Sequence, residues 1–305
     1  MRAVWSFWSR PFQARKNIGW YSELHHLLAW GLSLQTASRH YPETVLITDR
    51  SGKRLLVEQL GLPFVHVSTE LERLAEVDSG WWALGKLMAY SIQDQPFIHI
   101  DTDAFLWKPL PRHLTESPVL ALCPVFYAND SNLLPLAIER AFAERGGKLP
   151  VEWEWARSRG NAFFREEACG ILGGCHVAFL RYYAETAVSL VLNSDNAAAW
   201  SRLPDKISLN TMVEQFLLGA CIDYHRFHPA SPYRSVNVKH LFSSVEKACD
   251  INQAARLGHT HLLGGSKSHP AVARHLEERV RRENPAYFRR CEQVLVKADR
   301  LLQYA

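Results

Sequence analysis

The sequence lacks any paired-cysteine motif. Its six cysteines are scattered along 305 residues, and no two of them have the spacing of a C-x-x-C pair. Because structural zinc sites are commonly built on such pairs, we do not expect zinc bound by thiolates. Several of the cysteines lie among apolar neighbours and are predicted to be small core residues, which is typical of a protein in a reducing compartment.

Long apolar runs are also absent. No stretch reaches the length of about 18 uncharged apolar residues that indicates a membrane-spanning helix. The segment MRAVWSFWSR at residues 1–10 has neither the apolar core nor the cleavage site of a secretory signal. These absences predict a chain without a transmembrane segment and a cytoplasmic location.

Neither sign of charge dominates. Lys and Arg number 35 against 31 Asp and Glu, which gives a formal net charge of +4. A nucleic-acid-binding protein more often concentrates basic residues on one face, so nucleic acid is not an expected partner. The mild basic excess suits an anionic small substrate such as a sugar nucleotide. The arginine-rich C-terminal segment leaves two interpretations open, a solvated helical face and a peripheral contact with an anionic membrane.

The hydrophobic pattern indicates an α/β fold. Strand-like runs such as Thr44–Thr48 alternate with helical patterns through the first 125 residues. This order predicts right-handed βαβ units and a mostly parallel central sheet flanked by helices. From Pro270 onward the pattern is helical and charged, so we expect a helical C-terminal tail.

No linker rich in Ser, Gly or Pro divides the chain. We therefore predict one domain over residues 1–270, with an insertion near 125–165, and a helical extension over 271–305 that packs on it. Within the insertion we expect a loop around Trp153 and Trp155. A second loop is expected over residues 224–229.

The strongest chemical signal is the segment FIHIDTDAFLWKPL at residues 97–110. An apolar strand ends there at two carboxylates, Asp101 and Asp103. Ligands of open α/β sheets bind outside the carboxyl ends of the strands. Two carboxylates this close are costly unless a cation compensates them, and hard divalent cations prefer oxygen ligands and bridge to substrate phosphates. The alternative is that both residues only cap the next turn.

A second signal is the sequence HTHLLGGSKSHP at residues 259–270. His261 offers an imidazole nitrogen that can bind a metal ion. Gly264 and Gly265 allow backbone N–H groups to approach a phosphate, and Lys267 adds a positive charge. The alternative for this segment is a flexible loop that binds nothing.

Together the two motifs resemble the GT-A class of glycosyltransferases, most closely the retaining, glycogenin-like enzymes of glycosyltransferase family eight. Asp101 and Asp103 match the strand-ending D-x-D motif of that class. His261, Gly264 and Lys267 match its late H-x-x-G-x-x-K motif, in the same order along the chain. The resemblance implies a GT-A-like (Rossmann-like) fold.

The resemblance also implies a divalent cation, Mn²⁺ or Mg²⁺, bound by three side chains: Asp101, Asp103 and His261. Asp101 would meet either this metal or the ribose of the donor. The diphosphate of the donor would be held by Gly264, Gly265 and Lys267.

Further roles follow from the same resemblance. The first strand would contact the nucleotide through Ser6, Phe7 and Trp8. Asp49 would meet the base, and Lys86, in the helix before the D-x-D motif, would supply a cation to the donor; the alternative for Lys86 is a solvated helix face.

On the acceptor side, the relatives often carry an Asp-Gln pair near the transferred sugar. Here the pair is Glu214-Gln215, and this departure leaves open its catalytic role and the stereochemistry of transfer. The stretch 170–174 resembles a glycine-bearing strand that lies beneath the sugar, and a tight packing turn is the alternative.

The function that these expectations describe is a metal-dependent glycosyltransferase of hexosyltransferase type. It would move a sugar from a nucleoside-diphosphate sugar, expected to be a UDP-sugar, to a hydroxyl of a glycan, glycolipid or surface polysaccharide precursor. Two alternatives stay open: a metal-dependent nucleotidyltransferase or phosphohydrolase, and a non-catalytic protein that binds a sugar nucleotide or a glycan. Against the nucleotidyltransferase, the first strand is followed by SRPF at residues 9–12 and not by a glycine-rich loop.

Overall fold

The computed structural model describes residues 1–14, 19–128, 133–160 and 162–303. The chain forms two compact units, each assembled from segments that are distant in sequence. The first unit consists of Met1, Val77–His99 and Pro111–Asp250, and the second of Arg2–Glu76, Ile100–Leu110 and Ile251–Ala305. The domain boundary expected near residue 270 stays a prediction.

The described residues form eleven strands. In chain order these are β1 (Arg2–Phe7), β2 (Thr44–Thr48), β3 (His66–Ser68), β4 (Phe97–Ile100), β5 (Ala104–Leu106), β6 (Val119–Ala121), β7 (Pro124–Ala128), β8 (Phe163–Glu167), β9 (Ile171–Gly174), β10 (Val238–His240) and β11 (His259–His261).

Helices account for most of the remaining described residues. The α-helices are Ser9–Ala14, Glu23–Ser38, Arg50–Lys53, Ala83–Ser91, Arg112–Thr115, Leu134–Arg145, Val151–Ser158, Val177–Leu192, Ala197–Trp200, Lys206–Thr211, Leu217–Phe227, Val245–Cys249, Ile251–Leu257, Pro270–Glu283 and Pro285–Gln303. Two segments are π-helical, Arg54–Gln59 and Met212–Phe216, and three are 3₁₀-helical, Glu70–Leu74, Ser194–Asn196 and Gly264–Ser268.

In the second unit, β1, β2 and β3 pair in parallel. Ala3 of β1 lies opposite Thr44 of β2, and Phe7 lies opposite Thr48. All five residues of β2 are buried, as expected for a parallel strand covered on both faces.

In the first unit, β10, β6, β9 and β4 lie in this order. The pair β10–β6 is parallel and the pair β6–β9 is antiparallel. Strands β7 and β8 form a separate two-stranded antiparallel sheet. The expected α/β fold, with a mostly parallel central sheet flanked by helices, is confirmed.

Both predicted loops are wrong. Trp153 and Trp155 belong to the helix Val151–Ser158, in which Trp153 is fully buried and packs edge-on against Phe216 at 4.6 Å. The second region is helical as far as Phe227 and ends only where the residue before Pro229 turns extended, as proline requires.

The expected helical C-terminal tail is confirmed over the described residues, and its last two residues lie outside them. In the second unit, the Tyr287 hydroxyl donates a hydrogen bond of 2.6 Å to the carbonyl of Leu27. A Cβ at Gly31 would lie 2.2 Å from the Tyr287 ring, so the tail packs tightly on the helix Glu23–Ser38. Among the described residues, no helix has the length and apolarity to span a membrane.

Gly173 of β9 shows how closely the first unit is packed. A Cβ added there would lie 2.0 Å from the backbone carbonyl oxygen of Phe97, which cannot move without disturbing β4. We predict that Gly173→Ala lowers the free energy of unfolding by at least about 2 kcal/mol, measured by urea denaturation. Gly265→Ala is the control, because its Cβ would meet no atom of the described residues within 4 Å. Equal stability of the two variants would contradict this account of the packing.

Candidate functional site

The D-x-D segment forms a tight turn between β4 and β5. The N–H of Ala104 donates to the carbonyl of Asp101 at 2.9 Å, which closes the turn. Ser33, on the helix Glu23–Ser38, donates its hydroxyl to the carbonyl of Ala104 at 2.8 Å. The indole N–H of Trp5 in turn donates to the Ser33 hydroxyl at 3.0 Å. The turn is therefore fixed by the buried Ser33 hydroxyl, which the Trp5 indole holds in turn.

The late histidine segment reaches this turn by strand pairing. Strand β11 runs antiparallel to β5, with His261 opposite Ala104. The N–H of Leu262 extends the pairing by donating to the carbonyl of Asp103 at 2.9 Å. This register places the imidazole of His261 beside the carboxylate of Asp103.

The result is a cluster of three possible metal ligands in the second unit. One ligand atom from each of Asp101, Asp103 and His261 lies within 4.8 Å of the other two. Asp103 is only 6% exposed. Its Oδ1 lies 3.1 Å from Nε2 of His261, and its Oδ2 accepts a hydrogen bond of 2.6 Å from Nζ of Lys267.

The electrostatics of the cluster keep Asp103 ionised. Burial alone raises the pKa of this carboxyl, but the charges and hydrogen bonds of His261 and Lys267 outweigh burial and hold the pKa well below its usual range. Two other imidazoles nearby are neutral. Burial, reinforced by the Lys267 charge, lowers the pKa of His26 to about 3, and burial lowers the pKa of His259 to about 3.

The donor set fits a divalent cation such as Mn²⁺. Two carboxylates supply the oxygen ligands that Mg²⁺ and Mn²⁺ prefer, and an imidazole is a ligand common to transition metals. The Nδ1 atom of His261 is buried and has no hydrogen-bond partner within the described residues. A bound cation would also compensate the negative charge of Asp103. In this structure the shortest contact of that carboxylate is with Lys267.

The loop that carries Lys267 has room for a ligand. It is the 3₁₀-helical segment Gly264–Ser268, which begins with Gly264 in the left-handed region at φ 55°. A Cβ at Gly264 or Gly265 would meet no described atom within 4 Å, so the backbone borders open space as far as the structure describes the chain. The carbonyl of Lys267 accepts from the N–H of Tyr21 at 3.1 Å, and its Nζ lies 5.7 Å from the Trp20 ring centre.

The residues predicted to contact the nucleotide lie at the end of β1 and after β2. Ser6 is partly exposed, whereas Trp8 is 5% exposed. The Asp49 carboxylate caps a helix by accepting from the N–H of Gly52 at 2.7 Å, and it accepts two hydrogen bonds of 2.8 Å from Ser9. Asp49 thus has a structural role, and its contact with a base stays a prediction.

In the first unit, the structure brings together Lys86 and Glu214, which are 128 residues apart in the sequence. Nζ of Lys86 lies 2.8 Å from Oε1 of Glu214, and the fully buried Glu214 also accepts from the Tyr90 hydroxyl at 3.1 Å. Lys86 donates in addition to the carbonyl of Cys169 at 3.1 Å. Gln215, next along the π-helical segment, is half-buried.

Sequence reasoning missed Glu166, a carboxylate of β8 that is 3% exposed. Burial and the neighbouring charge of Glu214 raise its pKa to about 7, and we find no ion-pair partner for it within the described residues. The signal in the sequence is weak, because FFREE reads as an ordinary exposed hairpin strand. Strand β8 packs against the π-helical segment and against the helix Leu217–Phe227, and the side chain is buried there.

A family model described as a family of unknown function (DUF6734) matches residues 1–294. The chain belongs to this family. No curated protein matches the sequence of this DUF6734 member.

Solved structures similar to the DUF6734 chain include glycosyltransferases. The galactosyltransferase LgtC, in complex with donor and acceptor sugar analogs, is 11% identical over 91% of this chain and 94% of its own, with a TM-score of 0.43. An active-site mutant of LgtC gives 12% identity over the same shares and a TM-score of 0.37. The bifunctional glycosyltransferase WbbM is 12% identical over 66% of this chain and 38% of its own, with a TM-score of 0.31. Because these scores are below 0.5, the functional proposal rests on the residues of the site.

Glu166 generates a prediction about stability. Its pKa rises from 4.5 in the unfolded chain to about 7 in the folded protein. Between these values the folded state holds a proton that the unfolded state has lost, so the free energy of unfolding falls as pH rises from about 4.5 to about 7. We predict that the free energy of unfolding of Glu166→Gln does not fall over this pH range. Its advantage over the parent chain should therefore grow between about pH 4.5 and about pH 7 by on the order of 3 kcal/mol.

Urea denaturation at pH 5, 6, 7 and 8 measures this difference. Glu144→Gln, which changes an exposed carboxylate of the same unit, is the matched control and should follow the parent chain at every pH. A constant difference between Glu166→Gln and the parent chain would show that Glu166 titrates normally.

Proposed function

We propose that this protein is a metal-dependent glycosyltransferase that uses a nucleoside-diphosphate sugar, with a UDP-sugar as the expected donor. The observation that carries the proposal is the cluster of Asp101, Asp103 and His261 beside an open loop that contains Lys267. Two carboxylates and an imidazole suit a divalent cation, and the adjacent loop supplies a cation and accessible backbone to a diphosphate.

The proposed division of labour follows from the chemistry of each group. Asp101, Asp103 and His261 would hold Mn²⁺ or Mg²⁺, which when bound neutralises the diphosphate and stabilises it as a leaving group. Lys267 would bind a phosphate oxygen through its ammonium group. Gly264 and Gly265 would offer backbone N–H groups to the same diphosphate.

The Lys86–Glu214 pair is proposed to contact the transferred sugar. A buried ion pair usually contributes little net stability compared with well-packed apolar residues, so its presence favours a role beyond packing. Glu214 and Gln215 are the proposed catalytic residues beside the reacting sugar. The acceptor would be a hydroxyl group of a glycan or glycolipid.

Nucleotide binding tests the proposal most simply. We expect UDP to raise the thermal stability of the protein only when Mn²⁺ is present, by roughly 2.7 kcal/mol at 100 times its dissociation constant. Asp103→Asn should abolish the Mn²⁺-dependent stabilisation by UDP, because it removes a ligand charge. Glu58→Gln, which changes an exposed carboxylate of the same unit, should keep that stabilisation. The proposal fails if Asp103→Asn keeps the full shift or if no nucleoside diphosphate produces one with Mn²⁺.

Product analysis then separates transfer from the related chemistries. Incubation with a panel of nucleoside-diphosphate sugars, a mixture of glycan acceptors and Mn²⁺ should release the nucleoside diphosphate as the sugar is joined to an acceptor hydroxyl. Release of a nucleoside monophosphate or of inorganic phosphate would instead indicate a phosphohydrolase. Release of pyrophosphate from a nucleoside triphosphate and a sugar 1-phosphate would indicate a nucleotidyltransferase.

A further inference from the structure

The first unit contains a cavity of about 670 Å³, and neither the metal cluster nor the Lys86–Glu214 pair lines it. Its volume lies within the range of roughly 300–1,000 Å³ that is typical of sites for small ligands. Four elements line it: the strand pair β7–β8, the helix Val151–Ser158 with the residues after it, the end of the π-helical segment Met212–Phe216, and the helix Leu217–Phe227. Each contributes a specific kind of side chain.

The β7–β8 strand pair contributes exposed rings and a partly buried charge. Phe126 of β7 lies directly opposite Arg165 of β8, so both side chains are on one face, and Phe163 shares that face because it is two residues from Arg165. Phe126 is 62% exposed and Phe163 is 58% exposed. Large aromatic side chains that are exposed side by side usually mark a binding surface.

The helix Leu217–Phe227 lines the cavity with Gly219, Asp223 and Phe227, which are four residues apart and lie on one face. Gly219 allows a close approach, because a Cβ there would lie 2.9 Å from the carbonyl oxygen of Arg165. Asp223 contacts strand β8, where its Oδ1 lies 3.0 Å from an Nη atom of Arg165.

The remaining wall is a stack of flat groups. The rings of Trp155 and Phe227 are stacked at 6.0 Å with an interplanar angle of 25°. The guanidinium of Arg159 lies 4.6 Å from the Trp155 ring centre and 5.2 Å from that of Phe227. The cavity therefore combines aromatic faces with a fixed guanidinium–carboxylate pair.

This combination fits a polyhydroxylated ring better than other ligands. Aromatic faces suit the C–H surfaces of sugars, and the Arg165–Asp223 pair offers both donors and acceptors to hydroxyl groups. A lipid chain would offer no partner to the hydrogen-bonding capacity that this pair has left after its own contact, and burying that capacity is costly. Arg165 is paired with Asp223 and, at 2.8 Å, with the adjacent Glu167, so its positive charge is compensated and does not attract a polyanion.

We propose that this cavity is a binding site for a neutral oligosaccharide. The further assignment of that oligosaccharide as the acceptor, or as part of it, rests on the glycosyltransferase function proposed above. Saccharide binding itself does not rest on it, since none of the lining residues belongs to the metal cluster or to the Lys86–Glu214 pair.

The test is binding of the full-length protein to an immobilised array of neutral oligosaccharides built from hexoses and N-acetylhexosamines, without nucleotide or metal. We expect specific retention, followed by quenching of tryptophan fluorescence when a retained oligosaccharide is titrated in solution. Phe163→Ala and Asp223→Asn should each weaken this binding about tenfold or more. Ile251→Ala, which removes a side chain that is 83% exposed elsewhere, should leave it unchanged.

Phe163 is exposed, so we expect its variant to fold. The test therefore stays decisive even if Asp223→Asn destabilises the β7–β8 strand pair. The proposal is overturned if the array retains nothing, or if Phe163→Ala binds a retained oligosaccharide as tightly as the parent chain. It is also overturned if phosphatidylcholine vesicles bind in a Phe163-dependent manner and oligosaccharides do not. Because nucleotide and metal are omitted, failure of saccharide binding and failure of sugar transfer are observed independently.

Discussion

The candidate active site depends on the compensation of one buried carboxylate. Asp103 lies at the end of a fully buried strand, and its charge is stabilised by His261 and Lys267, which follow it by 158 and 164 residues. Without these partners, burial would favour the neutral acid and the site would lose its ligand. The pairing of β11 with β5 therefore joins two distant segments of the second unit and places beside the carboxylate the groups that keep it ionised.

Buried hydrogen bonds and ion pairs also fix other polar groups of the two units. Ser33 holds the D-x-D turn by donating to a backbone carbonyl, and Trp5 orients the Ser33 hydroxyl. In the first unit, Lys86 and Tyr90 both reach Glu214, so two helical segments are joined through a buried polar network. Such networks stabilise one arrangement of side chains because every alternative leaves a charge without a partner.

The sequence predicts the elements whose signals are local. An apolar run followed by D-x-D indicates a strand and its end, and this holds for β4 and Asp101. The Trp153 helix was missed because its tryptophans suggested a loop, whereas the tertiary contact with Phe216 decides the conformation. Glu166 was missed for the same reason: its burial comes from β8 packing on a distant π-helical segment, which no local pattern of charges reveals. Contacts across long separations, such as that of Lys86 with Glu214, require the folded chain.

The central claim is that Asp101, Asp103 and His261 bind a divalent cation. Anomalous diffraction from crystals grown with Mn²⁺ and UDP tests it most directly, because the method locates the ion itself. The account predicts one strong Mn²⁺ peak in coordination contact with all three side chains, and Nζ of Lys267 moved from Asp103 to a phosphate oxygen. A Mn²⁺ peak elsewhere or none, with Lys267 still paired to Asp103, would contradict it.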